Sequence, residues 1–198
     1  GITYWALAKN YKVNWLLNYR GGSFLLPDGD DIRKECQIRG VSFEVLTDAA
    51  TASILEEISS PSQNMETVVL EKAPKIAVYT PKGKQPWDDA VTMVLTYAEI
   101  PYTEIYDTEV LSDQLVLYEW LHLHHEDFTG QYGKFFGNYR NAPWYIQQKA
   151  EAEALAKKLG YNKVSEEKLA VATKIRDYVI GGGFMFAMCS ATDSYDIA

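Results

Sequence analysis

Short apolar runs rich in β-branched and aromatic residues alternate along this chain with longer segments of helical period, and no other feature constrains the fold as much. That is the pattern of βαβ units, in which strands buried on both faces pair in parallel and the crossover helices cover them. The expectation is an α/β fold, doubly wound, with a mostly parallel sheet and helices on both faces. A length of 198 residues suits one core of this kind, so residues 1–198 are expected to form a single domain.

Residues 2–9 read as the end of a helix, 13–18 as the strand it feeds, and Arg20-Gly21-Gly22 as a turn. Helical 30–39 ends at Gly40, 41–46 reads as a strand, and 49–59 as a helix stopped by Pro61. Strand character returns at 68–70 and 75–79, the second having the composition of a central buried strand. Lys82-Gly83-Lys84 makes a glycine turn, 87–99 carry a helix that opens after Pro86 and stops before Pro101, and 102–106 read as a strand. Residues 115–122 read as the next strand, leading into an aromatic and glycine-rich loop over 124–141. Two helices follow, over 142–159 and from Ser165, read as the N-cap, to about Tyr178.

The formal charge of −8 repels polyanions, which argues against nucleic acid as a partner. No run of 18 apolar residues exists to span a bilayer. The chain opens Gly1-Ile2-Thr3 without a Met or a signal-peptide layout, and its last residues look like the first turns of a new helix; a piece of a longer protein is expected. Nothing in it fixes a compartment. Cys36 and Cys189 are far apart and too few for a disulfide framework, so they read as separate thiols, with Cys36 structural.

Cys189 is the candidate catalytic residue. Gly181-Gly182-Gly183 precedes a short apolar strand, and Ala187-Met188-Cys189-Ser190-Ala191 flanks the cysteine two residues either side with alanine. A nucleophile held on a tight strand-to-helix turn needs small residues at those positions, where bulky ones would clash. A helix beginning near Ser190 would direct its free amides at the sulfur and favour the thiolate. Backbone amides of Gly182, Gly183 and Ser190 are the candidate oxyanion donors. The competing reading makes Cys189 a small buried hydrophobe of a core strand.

These motifs resemble the class I glutamine amidotransferase-like superfamily, with alanine in place of both glycines of its G-x-C-x-G turn. More closely, WLLNYRGGSF at 15–24, YTPKGKQPWD at 79–88, HLHHEDFTG at 122–130 and the stretch 181–193 resemble a bacterial family labelled asparagine synthetase B. The resemblance implies a flavodoxin-like fold and cysteine-dependent hydrolysis or transfer of a small-molecule amide, with no cofactor. It also implies a histidine and an acid placed after the cysteine, and neither has a counterpart in this chain. Synthetase chemistry has no residues to carry it: Arg20-Gly21-Gly22-Ser23 lacks the Asp and Ser of a pyrophosphate loop, and Gly1 stands where an N-terminal cysteine would be needed.

All three histidines fall in His122-Leu123-His124-His125-Glu126-Asp127. His122, His124, His125 and Glu126 are expected to line a pocket at a strand end; a metal site there is the sharper alternative, a hydrogen-bonded polar strand end the plainer one. Tyr132, Phe135, Phe136, Tyr139, Trp144 and Tyr145 would form either an aromatic ligand wall or the packing of a loop onto the core. A different class of function stays open beside the enzyme: a non-catalytic binding domain that keeps the fold.

Overall fold

The turn at Arg20-Gly21-Gly22 decides how the first strands pair. In the computed structural model, which describes residues 1–81, 90–123, 135–188 and 191–192, β1 (Val13–Leu17) runs antiparallel to β2 (Ser23–Leu25) and to β3 (Glu66–Leu70). The strand order is β2-β1-β3, with Trp15 opposite both Phe24 and Val68. The sequence reading expects parallel strand and helix alternations here, but so short a connection can only bring the chain back alongside itself; a parallel return needs a crossover of about a dozen residues or more. Three helices accompany this sheet: α1 (Ile2–Ala8), α2 (Asp30–Ile38) and α3 (Asp48–Ser59). Thr47 caps α3, its hydroxyl accepting from the Ala50 amide at 3.2 Å. Ala6 and Leu7 of α1 close on Val13, and Ile58 of α3 closes on Leu16 and Tyr19, so the sheet is covered from both ends of the segment.

Residues 41–46 are not a strand. Val41, Phe43 and Val45 stand 38%, 45% and 54% exposed, and the segment joins no sheet among the described residues. Its alternating composition fits a ladder, yet a strand exists only where another backbone supplies the hydrogen bonds.

The chain divides into two units, the first being Gly1–Ala73 with Ala98–Ile100 and the second Pro74–Tyr97 with Pro101–Ala198. The second holds four parallel strands: β4 (Ile76–Tyr79), β5 (Tyr102–Ile105), β6 (Trp120–Leu123) and β7 (Phe184–Ala187). Their order is β5-β4-β6-β7, so the chain builds to one side of β4 and then reverses to the other. This unit is an α/β fold with a parallel sheet flanked by helices, namely α4 (Ala90–Tyr97), α5 (Asp107–Leu111), α6 (Phe136–Tyr139), α7 (Pro143–Lys158) and α8 (Val164–Ile180). Ala77, Tyr79, Leu121 and Leu123 alternate onto one face, where Val110 of α5 and Val171 and Ile175 of α8 cover them.

The starts of β6 and α8 differ from the sequence reading. Residues 114–117 form a 3₁₀ turn ahead of β6, with Val116 79% and Leu117 59% exposed, so this apolar run is not the inner strand it resembles. The N-cap of α8 is Lys163, which places Ser165 inside the helix.

Candidate active site

Parallel strands bring all their carboxyl ends to one edge, and open α/β sheets bind ligands there. At that edge the β6–β7 ladder continues one residue past β7, the Met188 amide donating to the Leu123 carbonyl at 3.0 Å. The Ala191 amide then donates to the Met188 carbonyl at 3.1 Å, which closes a tight turn. The two residues between them in sequence are Cys189 and Ser190, which lie outside the described residues. Ala191 is 0% exposed and belongs to the core that contains Tyr79, Leu123 and Val171, while Ala187 packs against the same core. Both alanines that flank Cys189 thus pack on one apolar surface, and at the fully buried Ala191 close packing leaves no room for a larger side chain.

Gly182 and Gly183 sit at the opposite edge. Their amides donate to the carbonyls of Val179 and Tyr178, each at 3.0 Å, and so terminate α8. Gly182 takes φ +99°, and a Cβ on Gly183 would come within 2.2 Å of the Tyr178 ring, so glycine is required by the turn itself. The length of β7, about 13 Å at roughly 3.3 Å per residue, separates this turn from the carboxyl edge. The oxyanion role expected of the two amides does not fit this placement: they are already engaged, and at the wrong end of the strand. They border a cleft of ≈ 440 Å³ at the amino edge, whose charged lining includes Lys174 and Asp113, paired at 2.5 Å on the surface.

His122 is 5% exposed and lies on the face of β6 opposite Leu121 and Leu123. Its ring stacks on Phe186 at 5.5 Å and tilts against Trp120 at 6.3 Å, an aromatic packing role. His124, His125 and Glu126 fall outside the described residues, as does Tyr132. Among the described residues no group of three His, Cys, Asp or Glu side chains could hold a metal ion. Phe135, Tyr139 and Trp144 meet one another edge to face or tilted at 5.4 to 6.1 Å, each roughly half exposed, so they pack as a surface cluster.

A buried polar cluster near the carboxyl edge escaped the sequence reading. The Lys168 ammonium donates to Asp107 Oδ2 at 2.5 Å and to the hydroxyls of Tyr79 and Tyr106 at 3.2 Å each, while the Tyr79 hydroxyl donates to Asp107 Oδ1. Burial works against the Lys168 charge, but Tyr106 and Asp107 outweigh it and hold the ammonium above its ordinary range. The neighbouring Glu167 is 0% exposed, and its carboxyl lies within hydrogen-bonding reach of the Asp107 carboxylate. Burial and then the charge of Asp107 push its carboxyl up to about 8. A signal for this cluster exists in the sequence. The buried residues of α8 are Val164, Glu167, Lys168, Val171, Ala172 and Ile175, a helical stripe in which the two charged residues occupy apolar positions.

The second unit is thus an α/β fold in which the Ala191 amide closes back on Met188 at the carboxyl edge of a parallel sheet. Comparison with protein-family models, with curated proteins and with solved structures returns no match for this chain. No helix among the described residues is long and apolar enough to cross a membrane.

Proposed function

We propose that this chain carries the nucleophile of a class I glutamine amidotransferase-like site, with Cys189 attacking the carbonyl carbon of a small-molecule amide. The observation that supports this reading is the Met188–Ala191 turn, which leaves the parallel sheet at its carboxyl edge with both flanking alanines packed on the core. In the reaction the Cys189 thiolate adds to the carbonyl carbon, the C–N bond breaks as the nitrogen takes a proton, and the resulting thioester is cleaved by water to regenerate the thiol. The Ser190 amide, next in the chain, is the candidate oxyanion donor that remains once Gly182 and Gly183 are assigned to α8. The histidine and acid that would move the protons are those the family resemblance places after the cysteine.

The engagement of the glycine amides favours a second reading, a binding domain that keeps the fold without the chemistry. Ammonia release from glutamine and a panel of primary amides separates the two. The full-length protein is expected to release ammonia and the Cys189→Ala variant to lose at least about a hundredfold of that rate, in line with removal of a nucleophile. Ammonia release that survives in Cys189→Ala, or none from any amide with the wild type, overturns the enzymatic reading.

A further inference from the structure

The Asp107–Lys168 pair is balanced in charge, with one carboxylate and one ammonium, both nearly fully buried. Glu167 adds a second carboxyl beside Asp107, with no exposure and the Asp107 carboxylate as its hydrogen-bond partner. An isolated charge in such a place is costly, and a group there keeps or sheds its proton so as to stay neutral. The positions of these residues matter as well. α8 runs against the direction of the parallel strands, so its first turns, which hold Glu167 and Lys168, lie towards the carboxyl edge, beside Tyr79, Tyr106 and Asp107.

We propose that Glu167, Asp107 and Lys168 form a proton-dependent latch that holds the first turns of α8 against the carboxyl ends of β4 and β5, closed while Glu167 keeps its proton and loosened as the proton leaves.

The charged and titratable groups around Glu167 can be named element by element. Asp107 reaches it from α5, and Lys168 from α8 itself. Tyr79 of β4 and Tyr106 at the end of β5 bind Lys168. Glu109, also on α5, turns back to accept from the Tyr106 amide at 2.9 Å. α7, which packs on α8, buries Tyr145 and Ala156 and keeps its Lys and Glu side chains exposed. Lys163 and Glu166 on α8 face solvent. No second cation among these groups balances an ionised Glu167.

The direction of the effect follows from linkage. Glu167 holds its proton in the folded state up to about 8, whereas an unfolded or opened chain releases it in the ordinary carboxyl range near 4.3. Between those values the folded state binds more protons, so the stability that the closed latch contributes is full below the lower value and falls as pH rises towards 8, where the folded state also loses the proton and the latch loosens. Above 8 the loss is complete and the curve is flat.

The test compares the folding equilibrium of the wild type and Glu167→Gln by urea denaturation from pH 5 to 9. The ratio of their folding constants, variant over wild type, is expected to grow by up to about tenfold per pH unit and to level off near 8. A ratio that stays constant across the range overturns the proposal. Should Glu167→Gln fail to fold, carbon-13 NMR of the Glu167 carboxyl in the wild-type protein gives the answer directly: titration near 8 supports the latch, and titration between about 4 and 5 overturns it. Neither readout depends on Cys189, so the latch and the amide chemistry stand or fall separately.

Discussion

The Ala191 amide donates at 3.1 Å to the carbonyl of Met188, the residue whose own amide makes the last bond of the β6–β7 ladder. A strand that would otherwise run on is thereby folded back onto its own core, and the two residues enclosed by that bond in sequence are Cys189 and Ser190. The alanines on either side are what permit it. Ala191 has no exposed surface and packs with Tyr79, Leu123 and Val171.

Enlarging Ala191 should therefore open the turn. Ala191→Leu is expected to destabilise the protein by about 1–3 kcal/mol through overpacking, read as a lower urea midpoint. An unchanged midpoint would mean that the core has room at this position, and the steric account of the turn would be wrong.

Gly183 makes the contrasting case. Its Cβ would overlap the Tyr178 ring, so Gly183→Ala is expected to cost on the order of 1–3 kcal/mol. Because the glycines lie at the amino edge, the reactivity of Cys189 should be unaffected in the folded variant. A change in cysteine reactivity without loss of stability would return these glycines to the active site.

Lys168 tests the buried cluster. Removing one partner of a buried ion pair leaves the other uncompensated, so Lys168→Met is expected to cost about 3–5 kcal/mol. Lys168→Met with Asp107→Leu should recover part of that loss, since the second change removes the stranded carboxylate. If the double variant is as unstable as the sum of the single ones, the two side chains act independently and the pair has been misread.

How much of this was legible in the sequence depends on which forces decided each element. The strands β4, β5 and β7 and the helices α2, α3, α7 and α8 were readable because apolar period and terminal residues agree locally. Residues 41–46 carry the same strand composition, but pairing is a property of two backbones, and Val41, Phe43 and Val45 have no partner strand among the described residues. The glycine triplet uses the backbone freedom that its sequence implies, but at the amino edge, because sequence order alone does not say which edge of the sheet a loop serves. Asp107 and Lys168 are 61 residues apart, and only the folded chain brings them together. Glu167 was legible in principle, since it interrupts the apolar stripe that α8 buries.

The central claim rests on Cys189 being an activated nucleophile, and the pH dependence of its alkylation in the full-length protein tests that most directly. Cys36→Ser supplies the background; Cys36 is 5% exposed, and burial, with Glu35 beside it, pushes its thiol up. The account predicts that Cys189 alkylates with a midpoint well below the roughly 8.5 of an unperturbed thiol. An unreactive Cys189, or one that titrates at the ordinary value, would contradict it and leave the binding-domain reading in its place.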